Sequence, residues 1–177
     1  MKFFQTKLKG SYVIETEPKF DERGSFSRIF CKNEFLNPRG IDFTVVQCNA
    51  AHNRKKATLR GMHYQANPFQ EAKLIKCIKG AIYDVAVDLR PNSPTFCQWF
   101  SLELNSDNHK MLYIPKDFAH GYLTLKDDTE VLYFVSEFYH PESEKGSRWN
   151  DPAFGITWPL KPKMISDKDM KFPDFAK

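Results

Sequence analysis

Arg60, His63 and Tyr64 lie within one short segment, Leu59 to Gln65, and such side chains bind anions and move protons. Arginine is a fixed cation, and histidine exchanges protons near neutral pH. In a regular β-strand, Arg60 and His63 would face opposite sides because side chains alternate, whereas a bulge at Gly61 would redirect His63. The alternative is an exposed arginine near a buried, hydrogen-bonded histidine. The segment predicts a reactive site only if other polar groups surround it.

His120, beside Gly121, is a second histidine at the start of a predicted strand. Two histidines in a small β-domain are typical of the metal sites of cupins, but Gln65 stands where the first cupin motif has its second histidine. Zinc and iron sites need three or four donors in tight geometry, and only Glu71 is a further candidate. The pattern therefore favours proton transfer or substrate binding by His63 and His120, with no bound metal.

Lys73 and Tyr133 each have two interpretations. Lys73 opens a predicted strand, where it would point into a cavity or lie at a surface edge. Tyr133 is centred in an apolar strand. It would either pack as an aromatic residue with its hydroxyl hydrogen-bonded or donate a proton into a cavity. The residues alone leave both alternatives open.

The composition indicates one β-rich domain. The chain has 177 residues, with 16 Phe and 11 Pro, which favour sheets and turns over a helical bundle. The net charge of +4 is far from the focused basic surface of a nucleic-acid binder. No apolar run reaches the length of a membrane span, and neither a signal peptide nor CxxC pairing of the four cysteines is present. We expect a cytoplasmic protein with reduced thiols, no membrane partner and no nucleic-acid partner.

Short alternating segments separated by turns predict an all-β barrel or sandwich. A hairpin is predicted around Lys79-Gly80, a loop at residues 53–56, a short helix over residues 32–36 and a helical turn capped by Ser166. The other strands are predicted at residues 11–16, 26–30, 43–49, 95–104, 111–114, 122–125 and 130–138. The whole chain, 1–177, is expected to form one domain, with a core over about 11–160 and residues 161–177 packing over the site.

Five ordered motifs resemble the dTDP-4-dehydrorhamnose 3,5-epimerase family. They are Phe20-x-x-Arg23-Gly24-x-Phe26, the segment Leu59 to Gln65, Asp84 to Arg90 with Ser93 to Phe96, Ile114-Pro115-x-x-Phe118 to Gly121, and Trp149 to Pro152 with Ile156-x-Trp158-Pro159. The resemblance implies a cupin-type jelly roll that needs no metal or cofactor and forms a homodimer through its N-terminal strands. It also implies epimerisation of a nucleotide-linked 4-keto-6-deoxyhexose at C3, C5 or both.

The resemblance also implies roles for individual residues. His63 matches the family's base, Asp169 its carboxylate partner, Lys73 the cation that stabilises the enolate, and Tyr133 the proton donor on the other face. Contacts to the substrate or its diphosphate are implied for Arg60, Gln47, Asn49, His120, Glu144 and Lys168, with Tyr139 close to the nucleotide. Residues contributed across the dimer are matched by Arg23 and Phe26.

Arg28 departs from the family, which commonly has an acidic residue there, near the end of the site that binds the base. The charge reversal predicts that the sugar chemistry is retained while the nucleotide, or the exact sugar, differs. Two other functions fit the same scaffold: a ketoisomerase, which matches His63, Lys73, Tyr133 and Asp169 less well, and a non-catalytic module that binds sugar nucleotides.

Overall fold

The protein is described by a computed structural model over residues 1–37 and 39–176, so Pro38 and Lys177 lie outside the description. The described residues form mainly β-strands, with two short α-helices, which confirms the all-β prediction. In chain order the elements are β1 (Lys2–Gln5), β2 (Tyr12–Glu15), β3 (Lys19–Asp21), β4 (Gly24–Phe26), α1 (Lys32–Leu36), β5 (Gln47–Asn53), β6 (Leu59–Gln65), β7 (Lys73–Lys79), β8 (Ala81–Asp88), β9 (Trp99–Asn105), β10 (Lys110–Ile114), β11 (Phe118–Thr124), β12 (Thr129–Val135), β13 (Glu144–Gly146) and α2 (Asp167–Met170). Within these ranges no helix has the length and apolar character needed to span a bilayer.

Two antiparallel sheets form the body of the fold. The six-stranded sheet has the order β1-β2-β10-β7-β12-β5, and the five-stranded sheet has the order β13-β6-β11-β8-β9. Apolar side chains from both sheets form a shared buried cluster that includes Ile75, Ile82, Leu112, Phe118 and Val131. Burial of this inner layer, which removes apolar surface from water, holds the sheets face to face.

The outer face of each sheet is also covered. Phe35 of α1 and Phe43 pack with Leu74 and Met111 on the outer face of the six-stranded sheet. On the five-stranded sheet, Phe154 belongs to a second cluster that includes residues of β6, β8 and β11. Since both faces of the central strands are buried, apolar residues occur at successive positions along them.

The predicted hairpin around Lys79-Gly80 is wrong. Strand β7 pairs with β10 and β12 in one sheet, whereas β8 pairs with β9 and β11 in the other. Gly80 has φ +75°, and it turns the chain from one layer into the other instead of joining paired neighbours. Alternation of side chains locates each strand but does not identify its partner, which explains the error.

Several predicted strands have different bounds. Residues 27–30 and 43–46 are not strand, and β9 begins at Trp99 because residues 95–97 form turns. Asn53, predicted to lie in a solvated loop, ends β5 with its side chain buried. The helix over residues 32–36 and the Ser166 cap of α2 are confirmed, since the Ser166 side chain accepts a hydrogen bond from the Asp169 backbone N–H.

Candidate active site

A cavity of about 490 Å³ lies between the two sheets and contains many of the predicted site residues. The six-stranded sheet contributes Gln47, Asn49, Lys73 and Tyr133. From the five-stranded sheet come Arg60, His63, His120 and Glu144, and Tyr139 follows β12 at the rim. An adjoining cavity of about 410 Å³ shares His63 and is lined by Lys168 and Asp169. The two sheets thus present polar groups to one shared cavity.

A bulge in β6 sets the directions of Arg60 and His63. His63 pairs with His120 and Arg60 pairs with Tyr122, so three steps along β6 match two steps along β11. The extra residue interrupts the alternation, and both side chains reach the cavity although a regular strand would separate them. Met62, within the bulge, is fully buried in the outer cluster.

His63 and Asp169 form a hydrogen-bonded pair. His63 Nε2 lies 2.8 Å from Asp169 Oδ1, and Asp169 Oδ2 accepts a hydrogen bond from the Gly61 N–H at 3.0 Å. Burial alone would raise the pKa of Asp169, but its hydrogen bonds with His63, Gly61 and Ser166 outweigh burial and lower that pKa. An ionised carboxylate can only accept, so Nε2 carries the ring proton and Nδ1 is the basic nitrogen.

Lys73 faces the cavity instead of the surface. Its ammonium lies 3.0 Å from Glu71 Oε1 and donates to the His63 carbonyl oxygen at 3.3 Å. The Lys73 side chain is 10% exposed. A buried cation of this kind attracts developing negative charge more strongly than one in water.

His120 is held by an aspartate that the sequence analysis did not single out. His120 Nε2 lies 2.7 Å from Asp84 Oδ1, and both side chains are buried. Among the described residues, Asp84 Oδ2 has no hydrogen-bond partner. The signal in the sequence was a carboxylate on the inward-facing side of a central strand, where a charged group requires a partner.

Tyr133 lies on the opposite wall from His63. Its ring is 6.2 Å from that of Tyr122 and 6.0 Å from that of His120, measured between centroids. Burial, followed by the effects of Tyr122 and Asp84, raises the pKa of Tyr133 well above the usual value for a phenol. The Tyr133 hydroxyl therefore stays protonated across the neutral range.

Asn53 and Tyr122 also belong to this region, and neither was predicted as a site residue. The Asn53 side-chain oxygen accepts hydrogen bonds from Arg60 Nε at 2.9 Å and from the Tyr122 hydroxyl at 3.2 Å. No motif marks either residue, because their contacts depend on how β5, β6 and β11 meet. Asn53 thereby holds the Arg60 guanidinium in place through its Nε.

Glu144 links the rim of the cavity to α2. Its carboxylate lies 2.5 Å from Lys168 Nζ and 2.6 Å from the Tyr139 hydroxyl. Burial alone would raise the pKa of Glu144, but hydrogen bonds from Lys168 and Tyr139 prevail and lower it. On the neighbouring wall, Gln47 Nε2 donates to Asn49 Oδ1 at 3.1 Å.

Arg23, Phe26 and Arg28 do not line the cavity of their own chain. Arg23 and Phe26 lie on the β3-β4 hairpin, which pairs with neither large sheet, and Phe26 is 78% exposed. Arg28 Nη1 forms an exposed ion pair with Glu34 Oε1 at 2.7 Å. Arg23, Phe26 and Arg28 are therefore separate from the predicted residues that line the cavity.

Across residues 1–37 and 39–176, no three His, Cys, Asp or Glu side chains are grouped so that they could hold a metal ion. His63 and His120 instead each lie against one carboxylate, Asp169 and Asp84 respectively. The arrangement suits proton transfer, because each ring is oriented by a fixed acceptor.

Comparisons with known proteins agree in sequence and in structure. A family model described as dTDP-4-dehydrorhamnose 3,5-epimerase matches residues 5–177. A relative of that name from Methanothermobacter thermautotrophicus is 42% identical over 171 residues, which are 95% of this chain and 91% of the relative.

Two solved structures share the fold of the chain. The crystal structure of dTDP-4-dehydrorhamnose 3,5-epimerase from Bacillus anthracis with TDP and PPi bound is 40% identical and has a TM-score of 0.94, covering 98% of this chain and 99% of that one. A structure of dTDP-6-deoxy-D-glucose-3,5-epimerase from Legionella pneumophila in complex with dTDP-4-keto-L-rhamnose is 36% identical, with a TM-score of 0.92 and coverage of 98% and 92%. These likenesses confirm the predicted cupin-type jelly roll. The chain belongs to the dTDP-4-dehydrorhamnose 3,5-epimerase family.

Proposed function

We propose that the protein inverts C3, C5 or both in a nucleotide-linked 4-keto-6-deoxyhexose by removing a proton next to the C4 ketone and returning one from the opposite face. Its membership of the epimerase class follows from its family. The relatives with TDP or dTDP-4-keto-L-rhamnose bound support a nucleotide sugar as the substrate. The observation that carries the stereochemical part is the position of His63 and Tyr133 on opposite sheets that face one cavity.

His63 is the proposed base. Its Nδ1 accepts the proton from C3 or C5, and the electron pair of the broken C–H bond moves toward the C4 ketone to give an enolate. Asp169 positions the ring through Nε2 and stabilises the positive charge that the imidazole gains. The carboxylate is prepared for this role because its hydrogen bonds keep it ionised.

Lys73 is the proposed stabiliser of the enolate oxygen. Its ammonium lies in the cavity and contacts the backbone carbonyl of the proposed base. Positive charge fixed where negative charge develops lowers the barrier without any reorganisation of water. Glu71 pairs with the resting ammonium and orients it until substrate arrives.

Tyr133 is the proposed acid. Its phenol donates a proton to the carbon face opposite the one that His63 attacked, which inverts the centre. The raised pKa of Tyr133 keeps that proton available at neutral pH. Base and acid on separate walls thus account for inversion, whereas a single base would return the proton to the face it came from.

The remaining predicted residues are proposed to bind the substrate. Arg60 and Lys168 supply cations for the diphosphate, and Tyr139 lies near the nucleotide. Further polar contacts are assigned to Gln47, Asn49, His120 and Glu144. We place Arg23 and Phe26 at the site of the other subunit in a homodimer, since their exposed hairpin pairs with neither large sheet. Arg28 follows that hairpin and is proposed to lie near the end of the site that binds the base.

The proposed setting is the cytoplasm, and the proposed domain is the single unit 1–177 with residues 161–177 over the site. Contact of Asp169 with His63 and of Phe172 with the same imidazole, at 5.7 Å between ring centroids, supports this role for the C-terminal segment.

Incubation of a 4-keto-6-deoxyhexose nucleotide in deuterated water tests the function. We expect deuterium at C3 or C5 and an inverted product, measured by NMR. His63→Ala should reduce both by about 10²- to 10⁴-fold while folding normally. The control is His52→Ala, because His52 is half-exposed and pairs with Asp128 outside the cavity.

Other outcomes identify the alternative functions. A module that only binds sugar nucleotides would bind substrate without any exchange. A ketoisomerase would move the ketone to C3 and give a constitutional isomer instead of an epimer. Full exchange in His63→Ala would remove His63 from the role of base.

A further inference from the structure

Tyr122 lines the cavity beside the proposed acid, and the mechanism above gives it no role. Its side chain is almost completely buried, and its ring lies 6.2 Å from the ring of Tyr133 at an interplanar angle of 44°. Both side chains line the same cavity. A second phenol at this place adjoins the group that changes charge during the reaction.

The Tyr122 hydroxyl has a defined hydrogen-bond partner in this structure. Its O–H is donated to Asn53 Oδ1 at 3.2 Å. The same Asn53 oxygen accepts Arg60 Nε–H at 2.9 Å. Because an amide oxygen has two lone pairs, it satisfies both donors at once.

The orientation of Asn53 is fixed by its amide nitrogen. Nδ2 donates to the Thr129 carbonyl oxygen at 3.2 Å and to the Ala51 carbonyl oxygen at 3.5 Å. Exchanging the oxygen and nitrogen would set donors against Arg60 and Tyr122 and would orphan both carbonyls. The side chain is 1% exposed, so water does not compete for these bonds.

We infer that Tyr122 is a positioning residue for the acid: when Tyr133 has given up its proton, the Tyr122 hydroxyl turns from Asn53 to the Tyr133 phenolate. This inference rests on the proposed role of Tyr133. Asn53 permits the turn because its oxygen keeps the hydrogen bond from Arg60 and is not left unpaired.

The step balances without a further reactant. The Tyr133 O–H bond breaks, a C–H bond forms at the enolate carbon, and the electron pair of the O–H bond remains on the phenolate oxygen. The Tyr122 proton stays on Tyr122 and rotates about the C–O bond. Solvent later restores the proton of Tyr133 and removes the one held by His63.

Tyr122→Phe tests the inference in deuterated water with the substrate used above. Proton removal by His63 is unaffected, while protonation by Tyr133 slows by about tenfold to a hundredfold, the range for a lost hydrogen bond to a charged group. We expect kcat for inversion to fall by that factor with little change in KM. Deuterium in recovered, uninverted substrate should rise relative to product by a similar factor, because His63 returns its exchanged proton before Tyr133 acts.

Two results would overturn the inference: no change in the ratio of exchange to inversion, or equal loss of exchange and inversion, as a purely structural defect gives. Absence of exchange in the unsubstituted protein is a different failure, since it removes the proposed function itself.

Tyr83→Phe is the matched control. Its hydroxyl also makes two hydrogen bonds, to Ser101 and to the Thr157 carbonyl oxygen, but it lies outside the cavity, so the ratio should not change. If Tyr122→Phe does not fold, Tyr122→Leu takes its place, because it also removes the hydroxyl. An unchanged ratio of exchange to inversion in that variant would equally overturn the inference.

Discussion

A Cβ atom placed on Gly61 would lie 2.5 Å from the Cα of Gly121 on the neighbouring strand. The reverse also holds, since a Cβ on Gly121 would lie 2.6 Å from Met62 Sδ and 2.8 Å from the Arg60 carbonyl oxygen. The bulge that turns both Arg60 and His63 into the cavity therefore requires this close backbone approach. Two residues without side chains thus determine where the proposed base points.

Gly121→Ala should separate β6 from β11 at the bulge. Overpacking of this kind costs roughly 1–3 kcal/mol in the free energy of unfolding. We also expect kcat to fall by at least about tenfold, because a displacement of His63 near 1 Å disturbs proton transfer. Chemical denaturation and steady-state kinetics on the folded fraction measure the two effects.

Gly40→Ala provides the comparison. Gly40 has φ +69° and nothing lies within 4 Å of its added Cβ, so alanine there has only a backbone cost. Its stability should fall while activity per folded molecule stays the same. Equal activity in Gly121→Ala and the unsubstituted protein would contradict the role given to the bulge.

Asp169→Asn should impair His63 as a base while a side chain of similar size still fills position 169. Asparagine can donate from its amide to Nε2 and favour the wrong ring tautomer, so kcat should fall by roughly a hundredfold or more. KM should change little. The measurement is the rate of deuterium exchange at saturating substrate, with Asp167→Asn as the control on the exposed side of the same helix.

Acid stability gives an independent check on Asp169. Its pKa is lower in the folded protein than in the unfolded chain, so its contribution is complete above the ordinary carboxyl pKa of about 4. That contribution is lost as the pH falls through the lowered value. Asp169→Asn should therefore lose less stability than the unsubstituted protein between about pH 5 and pH 2, measured by urea unfolding. Parallel curves would show that folding does not lower the pKa of Asp169.

The sequence predicted the kinds of residue in the site better than their arrangement. His63, Lys73, His120 and Tyr133 all reach one cavity, as the motifs implied. Asp169 meets His63 from 106 residues away, a contact that family resemblance can suggest but side-chain periodicity cannot. Periodicity reports burial on one strand, and the partner of that strand depends on packing of the whole chain.

Asn53 shows the limit most clearly. It precedes Arg54, Lys55 and Lys56, so its neighbours predicted a solvated loop. In the structure its amide joins Arg60 to Tyr122 inside the protein. A buried polar residue is stable there because it forms hydrogen bonds with groups on two other strands. The sequence around Asn53 does not indicate which groups those are.

Tyr133→Phe should separate exchange from inversion. Without the phenol, His63 still removes the proton and returns a deuteron to the same face, so recovered substrate becomes labelled. Inverted product should fall by about 10²- to 10⁴-fold. NMR of substrate and product in one reaction measures both quantities, and Tyr113→Phe, a buried tyrosine outside this cavity, is the control. Loss of labelling together with inversion would place Tyr133 in a different role.

Arg28 leads to a prediction about the nucleotide. The family commonly has an acidic residue at this position, and Arg28 places an exposed cation there, in contact with Glu34. We expect dTDP to bind less tightly than at least one of CDP, GDP and UDP, measured by calorimetry. Arg28→Glu should shift the preference toward dTDP, because it restores the family's charge near the base-binding end.

Lys32→Glu is the matched control for that preference, since it makes the same change of charge on the exposed side of α1. This variant should leave the order of the four nucleotides unchanged, because the predicted preference depends on the charge at position 28 and not on the net charge of the protein. Tightest binding of dTDP to the unsubstituted protein would refute the prediction.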